Sequence, residues 1–211
     1  LFTPDQVIAS LDNSLRQLET DYVDVFMLHG VSTKVYPYAR DTLVPALLKE
    51  KAKGKFRALG ITEFPPRDHG HDALQTALRD DPWQVIMIAF HMMNQNARQS
   101  VFPITQKKGV GTLLMFAVRS IFSQPARLRE VAQILAERGE MPAEMATRDN
   151  PLDFLIHAGG ADSLSDAAYR FVRHEPGVDV VLFGTGDIGH LETNIASISK
   201  PPLPAADRDR L

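Results

Sequence analysis

The apolar run Val23-Asp24-Val25-Phe26-Met27-Leu28 ends on His29 and Gly30. An imidazole at the mouth of a strand can donate a hydrogen bond, accept one, or carry charge near neutral pH. The C-terminal ends of parallel strands are where α/β folds gather reactive groups. A second histidine motif, His69-Gly70-His71, has the His-x-His form that can ligate a metal. It lies in a loop after Pro65-Pro66-Arg67-Asp68, and no carboxylates or further histidines are placed on neighbouring strand ends to complete a binuclear centre. No metal site is expected. The chain has no cysteine, so thiol nucleophiles and thiolate metal sites are excluded. His157 and His174 read as exposed loop or helix residues, and Trp83 with Met87, Met92, Met93 and Met115 reads most simply as core.

The elements that would position such groups alternate along the chain. Thr3-Pro4-Asp5 reads as a helix start, with Val7, Ile8, Leu11, Leu15 and Leu18 at helical spacing. Further helices are predicted over 42–53, 72–79, 100–108, 125–138, 164–173 and 189–197. Strands are predicted over 23–28, 56–61, 83–90, 112–116 and 178–183. The strand segments are short, continuous and rich in Val, Ile, Leu and Met, as expected of parallel strands covered on both faces. Repeated strand–helix units of this kind give an α/β fold with right-handed crossovers. The spacing of the first four strand starts suits the βα units of a barrel. The segment 140–160 interrupts the rhythm and reads as an insertion with a short apolar helix near 152–156. Pro201-Pro202-Leu203-Pro204 cannot be regular structure.

The 211 residues suffice for one domain with a full core. The composition, 44% hydrophobic and 23% charged, is that of an ordinary globular protein. A net charge of -3 gives no electrostatic case for nucleic acid or for an anionic membrane. No segment approaches 18 uninterrupted apolar residues, so no spanning helix is expected. The absence of cysteine suits a reducing cytoplasm.

Three stretches carry a family resemblance. "SLRQLETDYVDVFMLHG" resembles the signature of the aldo/keto reductase family, in which a helix is followed by Asp-Tyr-Val/Ile-Asp, a strand and the active-site histidine. Ser14, Leu15, Leu18, Asp21, Tyr22, Asp24 and His29 carry it. "GKFRALGITEF" is similar to the family's next strand, and "VVLFGTGDIGHLETN" to its phosphate-binding turn and last helix. The stretches from Asn150 onward are similar to a bacterial branch of the family.

The resemblance implies a (β/α)8 TIM-type barrel that holds an extended nicotinamide cofactor without the Rossmann mode of binding. About five βα units are present, so the chain is expected to be an N-terminally truncated, single partial barrel domain, residues 1–211, with the 140–160 insertion. The implied reaction is hydride transfer from NAD(P)H to an aldehyde or ketone. His29 would orient the carbonyl and stabilise the developing oxyanion. The family's proton-donating tyrosine, with its lysine and aspartate, maps to units before Leu1; Tyr22 precedes its strand, and Tyr36, Tyr38 and Tyr169 match no family motif.

The resemblance also places the cofactor contacts. Thr62 and Glu63 stand where the family places Ser-Asn against the carboxamide, and Met87 stands where it has a glutamine. Phe116 aligns with the aromatic that stacks on nicotinamide, or is plain core. Ala117, Val118 and Arg119 would line the pyrophosphate, with Arg119 as its charge partner or a solvated surface residue. Gly184-Thr185-Gly186 offers backbone N–H groups and a positive helix end to a phosphate, or forms a bland tight turn. His190 falls where strongly NADP-preferring members often carry arginine, and Asn194 would meet the adenine edge or face solvent. His91 would lie near the cofactor. NADP(H) is expected in preference to NAD(H), a small carbonyl compound as substrate, and no activity from residues 1–211 by themselves. Two alternatives stay open: a non-catalytic nucleotide-binding or regulatory relative of the same barrel, and a metal-dependent barrel hydrolase.

Overall fold

The computed structural model describes the backbone of residues 1–211 and every side chain except those of Pro66, Ser120 and Ser123. Five parallel strands alternate with helices. The chain divides into two compact units, Leu1–Ala89 with Asn94–Leu114, and Phe90–Met93 with Met115–Leu211.

The first unit opens on helix α1, Pro4–Gln17. Thr3 caps it through a capping box: its hydroxyl accepts from the Gln6 N–H while the Gln6 side chain accepts from the Thr3 N–H at 2.9 Å. Leu11 and Leu15 are its buried stripe. Strand β1, Val23–Leu28, follows. The next helical segment is longer than the sequence pattern predicts: Tyr36–Tyr38 starts it, a π turn spans Ala39–Leu43, and α2, Val44–Ala52, completes it. Pro37 sits within the first turn of this run, where no helical N–H is required of it, and Pro45 falls directly after the π turn, whose altered hydrogen bonding accommodates a residue without an N–H. β2, Phe56–Thr62; α3, Asp72–Ala77; β3, Val85–Ala89; α4, Phe102–Lys108; and β4, Gly111–Met115, continue the alternation.

Strands β1 to β4 are neighbours in chain order. In the β1–β2 ladder Val25 stands opposite Ala58 and Leu28 opposite Ile61; in the β2–β3 ladder Thr62 stands opposite Met87. β1, at the end of this order, is mostly half-buried, whereas Leu59, Ile61, Ile86 and Ile88 are wholly buried. Leu47, Phe56 and Leu74 complete this core. At the opposite pole from the strand mouths, the Trp83 indole N–H donates to the Tyr36 hydroxyl at 3.1 Å, and that hydroxyl donates to Asp80 Oδ2 at 2.6 Å. Burial and the Asp80 carboxylate push the Tyr36 phenol well above its ordinary range.

The second unit contains α5, Pro125–Glu137; α6, Leu164–Arg173; the two-residue strand β5, Val180–Val181; and α7, Ile188–Ser199. The expected strand over 178–183 thus keeps ladder geometry only at its centre. Leu128 and Ala132 of α5, Leu152, Leu155 and the buried face of α6 make the core, with Phe90 stacked on Phe171 at 5.5 Å. The expected apolar helix near 152–156 is a single 3-10 turn, Asp153–Leu155. Arg170 spends its guanidinium on main-chain carbonyls, donating to Gly160 O at 2.7 Å, Pro201 O at 2.8 Å and Pro202 O at 3.1 Å. His157 Nε2 bonds Asp207 Oδ2 at 2.9 Å, tying the insertion to the short helix Ala205–Arg208. No helix among the described residues is long and apolar enough to cross a membrane.

Candidate functional site

In the first unit the chain leaves β1 through His29, whose side chain is exposed, and Gly30, whose φ of +67° is a left-handed conformation open to glycine at little cost. That turn aims the Gly30 N–H at Thr62 Oγ1, 2.7 Å away, and the Val31 N–H at Thr62 O, 2.9 Å away. Thr62, the last residue of β2, is 2% exposed, so its hydroxyl serves the neighbouring strand end. Met87, opposite Thr62 in the ladder, is half-buried and offers a thioether and methylenes but no strong hydrogen-bonding group. Phe64 is partly exposed, and one of its ring carbons lies 4.0 Å from where a Gly30 side chain would begin.

Glu63 follows Thr62 but turns inward. Its Oε1 accepts from the Ala89 N–H at 2.8 Å, at the end of β3, and its Oε2 lies 2.8 Å from His71 Nδ1. Both side chains are 0% exposed. The two histidines of His69-Gly70-His71 therefore part company, His69 to solvent and His71 to the interior. The His69 carbonyl accepts from the side-chain amides of Asn94 and Asn96, both at 3.2 Å. Among the described residues no group of three His, Asp or Glu side chains could hold a metal ion.

In the second unit β4 runs into Phe116, whose φ of +65° is unusual for a bulky residue and leaves the ring 40% exposed. The Arg119 guanidinium lies over that ring, 4.7 Å from its centroid. Between them Ala117 is buried and Val118 half-buried. Gly184, Thr185 and Gly186 are all exposed in the bend before α7. Asp187 caps that helix: its Oδ1 accepts from the His190 N–H at 2.7 Å, and its own N–H donates to Thr185 Oγ1 at 3.1 Å. His190 is exposed and Asn194 half-buried on the same helix. His91 accepts from the Met93 N–H at 3.2 Å through Nδ1 and meets the Phe122 ring edge-on.

Within the first unit His29, Thr62 and Glu63 lie at the C-terminal ends of adjoining strands, and Met87, in the middle of β3, stands opposite Thr62. Within the second, Phe116 to Arg119 form one continuous turn, and Gly184 to Asn194 one helix entry. The Ala89 N–H and Asp187 are partners that the sequence did not single out, and His71 stood out only as part of a His-x-His motif, not as the partner of Glu63. Asp187 carried a visible signal, an aspartate immediately before a helical pattern; the pairing of His71 with Glu63 carried none.

The family model for "Aldo/keto reductase family" matches residues 1–211, the whole chain. The chain belongs to that family. It is 25% identical over 203 residues to aldo-keto reductase YhdN of Bacillus subtilis, a match covering 89% of this chain and 56% of that protein. It is 24% identical over 218 residues to L-galactose dehydrogenase of Arabidopsis thaliana, covering all of this chain and 63% of that protein. Among solved structures it resembles the holo form of aldo-keto reductase AKR11C1 from Bacillus halodurans, with a TM-score of 0.70 at 21% identity over 99% of this chain and 66% of that one. An aldo/keto reductase from Klebsiella pneumoniae in complex with NADP and acetate gives a TM-score of 0.65 at 19% identity, over 97% and 63% of the two chains. These likenesses place the five parallel strands in the TIM-type barrel fold of aldo/keto reductases. The chain spans 56% and 63% of the length of the two named sequence relatives.

Proposed function

We propose that this aldo/keto reductase chain carries the carbonyl-orienting histidine and the cofactor side of an NAD(P)H-dependent reductase of aldehydes or ketones. The observation that carries the reading is the strand mouth: His29 is exposed at the end of β1 and held beside β2 by the Gly30 to Thr62 hydrogen bond. A nicotinamide cofactor, when bound, supplies the hydride. His29 donates a hydrogen bond to the carbonyl oxygen and stabilises the charge that develops there. Phe116 offers an exposed aromatic face, and Arg119 beside it a cation suited to a pyrophosphate. The Gly184–Gly186 bend leads into a twelve-residue helix whose start favours negative charge, with Ala117 and Val118 as lining and His190 and Asn194 on the same helix as nucleotide contacts. Thr62 and Met87 form the floor beside His29. Glu63 has both carboxylate oxygens engaged internally, so its part is indirect. Among residues 1–211 we assign no proton donor, and NADP(H) is the preferred partner.

The test is a titration of the purified 211-residue protein with NADPH and with NADH, followed by the cofactor's own fluorescence. Saturable binding that weakens at least tenfold in Phe116→Ala and in Arg119→Ala is expected, together with no turnover of a simple aldehyde. Absence of binding to either nucleotide overturns the cofactor assignment; turnover overturns the expectation of inactivity.

A further inference from the structure

We propose that Glu63 and His71 are a buried pair of positioning residues that sets the placement of His29 through Thr62 and Gly30. The proposal rests on the reading of His29 given above.

The connections form a chain across three strand ends. At β3, the Ala89 N–H donates to Glu63 Oε1 at 2.8 Å. At β2, Glu63 is bonded covalently to Thr62, whose Oγ1 and carbonyl oxygen accept from the Gly30 and Val31 N–H groups. At β1, Gly30 follows His29 directly. The second carboxylate oxygen meets His71 Nδ1 at 2.8 Å. His71 is the last residue before α3, and its φ of +63° is left-handed, a conformation uncommon for a residue with a side chain. Such a backbone persists where its surroundings over-determine it. Here the surroundings are the Glu63 carboxylate and full burial. The pair therefore clamps the ends of the loop between Glu63 and His71 while pinning the β2 terminus to β3.

The chemistry calls for a carboxylate. As a carboxylate Glu63 only accepts, so both neighbours donate: the Ala89 N–H and the His71 Nδ1–H. His71 Nε2 has no hydrogen-bond partner among the described residues. Glutamine at position 63 would keep the acceptor for Ala89 but turn an NH2 group toward Nδ1. To keep that bond the imidazole would have to move its proton to the buried, unpartnered Nε2. Glu63→Gln thus weakens one of the two links selectively, by leaving either Nδ1–H facing an NH2 group or Nε2–H buried without a partner, and leaves volume almost unchanged.

The test reads His29 and Gly30 in the free protein, without cofactor. Amide exchange of Gly30 and the ring Cε1–H resonance of His29 are followed by NMR in the wild type and in Glu63→Gln, Glu63→Ala and His71→Ala. The near-UV circular dichroism of Trp83, at the other pole of the first unit, reports that the fold is kept. Expected are a loss of Gly30 amide protection of at least tenfold and a displaced His29 resonance in His71→Ala and Glu63→Ala, with a smaller change of the same sign in Glu63→Gln. If the two alanine variants do not fold, Glu63→Gln decides alone. Gly30 protection within twofold of wild type and an unmoved His29 resonance in a folded variant would overturn the proposal. Failure of the wild type to bind nucleotide would strike the functional reading and leave this result standing on its own.

Discussion

The Gly30 N–H and the Thr62 hydroxyl, 32 residues apart in sequence, are joined at 2.7 Å across the mouths of β1 and β2. A buried side chain thereby satisfies a backbone donor that the left-handed turn after His29 has taken out of the ladder. Thr62→Val keeps the shape and removes the acceptor. It is expected to cost about 1 kcal/mol, the net worth of a hydrogen bond that is only part-buried. Thr62→Ser should recover most of that loss. Urea denaturation of the three proteins measures both values.

Gly60 lies on β2 where the β1 side chain of Met27 crosses it. A Cβ placed there would come within 2.9 Å of both Cγ and Cε of Met27 and 3.0 Å of the Val85 carbonyl oxygen. Gly60→Ala is therefore expected to destabilise by about 1–3 kcal/mol through overpacking. Adding Met27→Ala should return only part of this, because the Val85 contact is backbone. A double-mutant cycle in urea separates the two contributions.

Tyr36→Phe removes one hydroxyl, leaves the buried Trp83 indole N–H without that acceptor, and takes one donor from Asp80 Oδ2, which keeps Arg40 at 3.9 Å. The expected loss is about 1–3 kcal/mol, mostly from the buried indole left without an acceptor. The wild-type Tyr36 phenol should resist ionisation at alkaline pH, a behaviour visible in absorbance as phenolate signal that appears late in a pH titration and earlier in Asp80→Asn.

The hydrogen bond to Asp207, supported by the Ala158 carbonyl, raises the His157 pKa above its ordinary value of 6.5. A raised folded-state value stabilises the fold fully below the unfolded value and loses that contribution as pH rises through the folded value. Denaturation midpoints are thus expected to be higher at pH 5.5 than at pH 8.5. Substituting His157→Gln should remove the part of this difference that belongs to the pair. An unchanged pH dependence in that variant would assign it elsewhere.

Much of this was legible because buried parallel strands show as unbroken apolar runs; β1 to β4 stand within two residues of where Val, Ile, Leu and Met placed them. The helix start at Thr3 was legible for a local reason, since a capping box is written in four consecutive residues. The helical segment before α2 was hidden by Pro37, which stops a helix in its interior but begins one at its first turn, and by the π turn that follows it. β5 was overread, because apolar content does not say how long a ladder its neighbours will offer. His29, Phe116 and the Gly184–Gly186 bend stand out in the sequence as candidates by type and place. The inward turn of Glu63 could not: it depends on a loop folding back so that His71, eight residues on, becomes its partner. At the His-x-His pair, where no metal site was expected, one ring faces solvent and the other, on the left-handed backbone of His71, faces the interior.

Arg170 holds Gly160, Pro201 and Pro202 by their carbonyl oxygens, which every amino acid possesses. A grip of that kind is blind to the identity of what it grips. The C-terminal segment is thus free to change its residues over generations while following one path, provided the guanidinium itself is retained; lysine, with no planar fork, could not span the same three oxygens.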